Sequence, residues 1–207
     1  MCDLRRLIII GAGGHAKVCA EIAQLNGYKD IIYLDDNDNI TNKNLLFGCV
    51  SGKVNDIDKF DGDIFVAIGD SVIREKLLNY ITSKNRDVIS LVHPSAVVSD
   101  YVTLGAGVVI MAGAVVNPSV VIEDGSIINT CSSIDHDCYI GSNSHVAVGA
   151  HICGTVTIGN KCWIGAGATV LNNVNITDNV TVGAGAVVLK DIFEQGTYVG
   201  VPVRKLV

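Results

Sequence analysis

Residues 122–164 read IEDGSI, INTCSS, IDHDCY, IGSNSH, VAVGAH, ICGTVT, IGNKCW and then Ile164. A branched aliphatic residue opens every hexad. The register runs on unbroken in both directions, back through Val116, Ile110, Leu104 and Val98 to Val92, and forward through Val170, Ile176 and Val182 to Val188. A period of six fits neither a helical turn nor the simple alternation of a hairpin strand. It fits a hexapeptide β-helix, in which each hexad supplies one short strand and one corner. Four places after the aliphatic stands a small or β-branched residue, as at Ala114, Ser126, Ser132, Cys138, Ser144, Ala150, Cys162 and Ala168. One large and one small inward residue per hexad fill a narrow prism. Three hexads, eighteen residues, make one triangular coil, and coils stack at about the 4.8 Å spacing between strands. Chemistry must then come from residues that point outward.

The first ~90 residues follow a different grammar. Residues 7–10, 31–34, 64–68 and 88–92 read as strands, and residues 14–25 and 71–83 as helices, the second capped by Ser71. Residues 37–44 are polar loop. Strands alternating with helices imply a small parallel sheet, a Rossmann-like α/β unit. The expected division is therefore 1–93 for a nucleotide-binding α/β domain, 94–189 for the β-helix and 190–207 for a tail. His93-Pro94 forms the join, because the residue before proline favours extended backbone.

Composition narrows the function. The chain has 207 residues and a net charge of −6, which argues against a nucleic-acid partner. It holds no apolar run long enough to cross a membrane, and residues 1–10 lack the pattern of a secretion signal. Seven cysteines without a C-x-x-C pair read as reduced thiols, in keeping with a cytoplasmic protein.

Gly11-Ala12-Gly13-Gly14-His15-Ala16 follows the first strand and opens the first helix. Glycines let backbone approach a ligand closely, and free N–H groups at a helix start favour phosphate. A dinucleotide needs two βαβαβ halves, more than this segment contains, so a mononucleotide or nucleotide-sugar is the better reading. Gly13, Gly14 and His15 lie at this strand-to-helix turn. Asp35 and Asp36 end the second strand and suit ribose or base, and Gly69 ends the third strand on the same edge.

In the repeats, His136 stands two places after Ile134, between Asp135 and Asp137. A carboxylate on one ring nitrogen fixes the tautomer and makes the other nitrogen a better base. One coil above His136 is Gly154, whose missing side chain leaves room for the imidazole. His145 lies half a coil away, on the far side of the prism, at an outward position. Trp163, the only tryptophan, stands one coil above His145. An outward tryptophan on a prism suggests a covered surface, so a symmetric oligomer with sites between subunits is expected. Cys138 falls on an inward position and reads as core.

These residues together resemble a known family. The hexads with Gly200-Val201-Pro202 resemble the hexapeptide-repeat acyltransferases, trimeric left-handed β-helices that mostly use acetyl-CoA. The glycine loop, Asn129-Thr130, Ile134-Asp135-His136-Asp137-Cys138, His145 and Gly154 resemble the bacterial nucleotide-sugar N-acetyltransferases of the sialic-acid and bacillosamine type, over essentially the whole chain. The resemblance implies acetylation of the 4-amino group of a nucleotide-linked 4-amino-4,6-dideoxy sugar, with acetyl-CoA as co-substrate, no metal, and a role in surface-glycan synthesis. His136 would be the base and Asp137 its orienter, where relatives often carry glutamate. Asn129 would contact the sugar, and His145 would lie near the thioester. The Gly154 N–H would hold the developing oxyanion. Pantetheine would run past Ala166 and Ala184, between subunits.

Three alternatives share these residues. O-acetylation of a sialic-acid-type sugar would use the same base on a hydroxyl. A zinc-dependent hydratase of the carbonic-anhydrase type would need three histidines converging on one ion, and His145 and His151 stand a full hexad apart. A non-catalytic nucleotide-sugar-binding trimer would leave the two carboxylates beside His136 without a purpose.

Overall fold

A computed structural model of the chain describes residues 5–206. Cys2, counted above among the thiols, lies outside the described residues. The chain divides into two compact units, Met1–Pro94 and Ser95–Val207.

The first unit is a five-stranded sheet flanked by helices. Its elements are β1 (Arg6–Ile10), α1 (Gly14–Leu25), β2 (Asp30–Leu34), β3 (Asn44–Leu45), β4 (Gly48–Gly52), β5 (Asp63–Val66) and α2 (Ser71–Ser83). The strand order is β3-β4-β2-β1-β5, and every pair is parallel except β3 with β4. β1 is central, so Leu7, Ile8, Ile9 and Ile10 are all buried, as expected of a parallel strand covered on both faces. Ile8 and Ile10 pack with Leu34, Ile64, Leu78 and Ile81. Sequence order reverses direction across β1, with β2 on one side and β5 on the other. The crevice at such a switch point is where open α/β sheets take ligands. The loops after β1 and β5 edge it.

Three features differ from expectation. The third strand ends at Val66 rather than residue 68, because Ala67 and the residues after it turn into the crevice. The expected strand at 88–92 reduces to a single bridge between Val88 and Ile64 and a two-residue strand at Leu91–Val92. The cap of α2 is Asp70, not Ser71: its carboxylate accepts the N–H groups of Val72 and Ile73, both at 2.9 Å. Replacing Asp70 by alanine orphans both donors. The expected cost is about 1 kcal/mol of stability, measurable as a lower urea midpoint.

The second unit is the predicted prism. Two-residue strands repeat every hexad and pair in parallel with the strand eighteen residues on, as Val115 with Ser133 and Ser133 with His151. Three sheets result. The outward residues of the first include Val97, Val115, Ser133, His151, Thr169 and Val187. Those of the second are Thr103, Val121, Tyr139, Thr157 and Asn175. Those of the third include Val109, Ile127, His145, Trp163 and Thr181. From Ile110 to Val188 every aliphatic of the register is buried, and so is every small residue four places on from Val108 to Ala186. The inward hydroxyls and thiols cap carbonyls of the neighbouring coil: Ser126 on Gly141 at 2.9 Å, Ser144 on Gly159 at 2.8 Å, and Cys138 on Cys153 at 3.1 Å. Buried polar groups are thereby satisfied.

The corners turn by one recurring device. The residue three places after each aliphatic has positive φ, from Gly107 through Ser119, Asp137 and Thr155 to Gly185. The segment after the repeats is not free. Gly196–Val199 extends the third sheet by pairing with Val180–Val182, and Arg204–Lys205 adds an antiparallel strand to it. No helix among the described residues is long and apolar enough to cross a membrane.

Candidate active site

His136 occupies the corner between the first and second sheets. Its Nδ1 lies 2.8 Å from Oδ2 of Asp137, and both side chains are more than half exposed. Asp137 is itself the positive-φ corner residue, at 57°, a conformation that aspartate tolerates better than most residues. The turn thus fixes the acid beside the ring. Asp135 works from the other side. Its Oδ1 accepts the backbone N–H of His136 at 2.8 Å and the Nδ2–H of Asn117, one coil below, also at 2.8 Å. Asn117 was not singled out from the sequence, although counting eighteen residues back from Asp135 finds it.

The hydrogen bond that the ring donates to Asp137, then the charge of Asp135, raises the His136 pKa above its ordinary 6.5. Asn117 and the His136 N–H hold Asp135 below its usual carboxylate range. A base with raised pKa is disarmed as pH falls, so the acid limb of kcat/KM should lie above that of an unperturbed imidazole. Asp137→Asn removes the acceptor that favours the charged ring. The acid limb is then expected to move to lower pH, read from a pH–rate profile. An unmoved limb would separate Asp137 from the base.

Gly154 stands against the imidazole. A Cβ built there would lie 2.7 Å from both Cε1 and Nε2 of His136. Its N–H meets no acceptor among the described residues, although its carbonyl is used by Asn173 at 3.1 Å. An unused N–H beside a base can receive a developing negative charge.

His145 lies on the third sheet, apart from His136 in the coil. His145 keeps its outward register position, yet its ring is enclosed. His145 is only 7% exposed within a single chain, because Trp163 covers it from one coil above, with ring centroids 4.3 Å apart and planes tilted by 59°, and Ile127 lies one coil below. Asn129 joins it: its Nδ2 is 2.9 Å from His145 Nε2, while its Oδ1 accepts the Thr130 N–H at 2.8 Å. With Oδ1 so engaged, Asn129 donates to Nε2, and the neutral ring carries its proton on Nδ1. Asn129 and His145 therefore form one unit. His151 stands on the first sheet, hydrogen-bonded to Ser133 at 2.9 Å.

Ala166 and Ala184 share a corner column with Val148. The N–H groups of all three meet no acceptor among the described residues. The preceding corner is different. There Asp124, Asn160 and Asp178 cap the N–H groups of Ala106, Ser142 and Asn160 at 2.7 to 2.9 Å. One column thus offers a ladder of free donors and the other is closed. Burial raises the Cys138 pKa, which disarms it as a nucleophile.

In the first unit the glycine loop lies at the switch point. Gly11 has φ of +101°, and a Cβ there would meet Ile68 Cδ1 at 2.6 Å and Ala67 O at 3.0 Å. Gly13, Gly14 and Gly69 face open space. Asp35 braces the loop: its carboxylate accepts the N–H of Ala12 at 2.8 Å and of Asn37 at 2.9 Å. Asp36 accepts the N–H of Val54 at 3.0 Å. Both line a cleft of about 200 Å³, together with Gly11, Ile68, Ile73 and Leu77. His15 opens α1, and burial, then the charge of Arg74, lowers its pKa to about 4, so it is neutral in solution. Arg74, almost wholly buried, was not picked out from the sequence, where it looks like any helical surface arginine.

Residues 6–81 match the family model of the PglD N-terminal domain, and residues 155–190 match the bacterial transferase hexapeptide model of six repeats. The UDP-N-acetylbacillosamine N-acetyltransferase of Bacillus subtilis (strain 168) is 31% identical over 115 residues, 53% of this chain and 52% of that protein. The match thus spans about half the length of this curated relative. The acetyltransferase domain of PglB from Neisseria gonorrhoeae FA1090, solved with acetyl coenzyme A, superposes with a TM-score of 0.93 at 37% identity, covering 98% of this chain and 99% of that one. PerB from Caulobacter crescentus, solved with CoA and GDP-perosamine, does so with a TM-score of 0.90 at 35% identity, covering 97% and 96%. The architecture is the one expected, an α/β domain followed by a left-handed β-helix of hexapeptide repeats. On both its halves, the chain belongs to the family of hexapeptide-repeat sugar acetyltransferases with a PglD-type N-terminal domain.

Proposed function

We propose that the protein transfers the acetyl group of acetyl-CoA to the 4-amino group of a nucleotide-linked 4-amino-4,6-dideoxy sugar, with His136 as general base. The observation that carries this reading is the His136 constellation: an imidazole bonded to Asp137 on one nitrogen, with the bare backbone of Gly154 against its other edge. The relatives support it by what they bind or act on, acetyl coenzyme A for PglB, GDP-perosamine with CoA for PerB, and a UDP-linked amino sugar for the Bacillus enzyme.

The reaction is a direct acyl transfer. The amine nitrogen attacks the thioester carbonyl and forms the C–N bond. His136 Nε2 takes the proton that the nitrogen loses. The Gly154 N–H receives the negative charge that gathers on the carbonyl oxygen. The C–S bond then breaks, and the proton on His136 passes to the departing thiolate. No acyl-enzyme is needed. Asn129 and His145 serve the sugar and the thioester, and the donors of Ala166 and Ala184 suit the amides of pantetheine. Gly13, Gly14, His15, Asp35, Asp36 and Gly69 hold the nucleotide-sugar. In this reading residues 1–93 bind nucleotide, residues 94–189 carry acyl transfer, and the chain acts as a cytoplasmic homotrimer.

A thiol-release assay tests this. The protein is mixed with acetyl-CoA and UDP-, dTDP- or GDP-linked 4-amino-4,6-dideoxy sugars. Free CoA should appear with one nucleotide class. Silence across the panel, with release on free sialic acids instead, would replace N- by O-acetylation.

A further inference from the structure

The loop after β5 and the arginine behind it carry an inference that rests on the nucleotide-sugar reading. Arg74 sits one turn into α2 and is 1% exposed. Its Nη1 donates to the carbonyl oxygens of Ile68 at 2.8 Å and Gly69 at 2.7 Å. In a trans peptide the N–H points opposite to the carbonyl. Pulling those two carbonyls toward the guanidinium therefore turns the N–H groups of Gly69 and Asp70 the other way. Neither N–H meets an acceptor among the described residues, and Gly69 has open space beside it. The loop touches the glycine loop across the switch point, where Gly11 leaves no room for a Cβ against Ala67 and Ile68. Gly13 and Gly14 add a second open stretch of backbone. Burial lowers the Arg74 pKa only to about 10, so the cation persists at neutral pH.

We propose that Arg74 is a positioning residue for the diphosphate of the nucleotide-linked sugar: it clamps Ile68 and Gly69 so that the Gly69 and Asp70 N–H groups face the crevice, and it sets a fixed positive charge behind them. The phosphates would be received by backbone donors of both loops. Arg74 itself stays behind the loop, so its contribution is to donor orientation and field. Both bonds leave the one Nη1, which the planar, rigid guanidinium holds in place where a lysine ammonium rides on a flexible stem.

The test is titration calorimetry of UDP, GDP and dTDP, with the parent nucleosides alongside, on the wild type, Arg74→Gln and Arg74→Lys. Acetyl-CoA is titrated in parallel. Arg74→Gln should weaken the nucleoside diphosphate by about tenfold or more, in the range of a lost charge-assisted bond, and the nucleoside much less. Acetyl-CoA binding, and kcat at saturating sugar nucleotide, should hold. Arg74→Lys should fall between, keeping the charge but holding the two carbonyls less firmly from a flexible stem. If Arg74→Gln does not fold, Arg74→Lys alone decides by the same diphosphate-to-nucleoside ratio. Equal losses for nucleoside and diphosphate, or none, would overturn the proposal. A wild type that binds no nucleoside diphosphate would overturn the nucleotide-sugar reading as well.

Discussion

His136→Asn is expected to lower kcat by about 10³-fold, in the middle of the range for loss of a general base. That is about 4 kcal/mol of transition-state stabilisation. The imidazole is more than half exposed and packs into no core, so the melting temperature should not move. Binding of acetyl-CoA and sugar nucleotide should also survive, because the proton is shared only in the transition state. The same variant separates the readings. An enzyme loses turnover and keeps binding, whereas a binding scaffold loses nothing. Full activity in His136→Asn would move the base elsewhere.

Gly154→Ala should also be damaging, through a single methyl group. The backbone of Gly154 does not have positive φ, so alanine fits the chain without strain. The new Cβ would stand 2.7 Å from Cε1 and Nε2 of His136, well inside van der Waals contact. The exposed ring yields more easily than the coil, and it must move by most of an ångström. That breaks its 2.8 Å alignment with Asp137 and misplaces Nε2. A displacement of this order costs about 10²-fold in rate. Reduced kcat with an unchanged melting temperature, and a ring seen displaced by crystallography, would establish the packing. An unimpaired Gly154→Ala would remove His136 from the position assigned to it.

The prism was legible because its signal is redundant. Each hexad repeats the same demand, and the vertical neighbours, Gly154 above His136 and Trp163 above His145, follow from counting eighteen residues. The α/β unit was less so. The β3–β4 hairpin was missed because its two-residue turn is Leu46-Phe47, with Phe47 at φ 63°, and neither residue signals a turn. Asp70 was passed over as a cap because Ser71 follows it and both suit the position. The burial of His145 is not legible from its outward strand position alone. Large neighbours one coil up and down can enclose a ring without any help from the core. Arg74 has no sequence signal at all, since its burial arises from loop carbonyls that only the folded chain brings to it.

The corner device described above also makes chain length a matter of phase. Every position is defined modulo six for its role and modulo eighteen for its face. One inserted residue within a coil would push each later aliphatic off the interior and seat a corner residue in its place, all the way to Val188. Inserting or deleting eighteen residues restores the phase and changes only the height of the column. Variation in this prism should therefore come as whole coils, or as excursions that leave a corner and return to it without shifting the count.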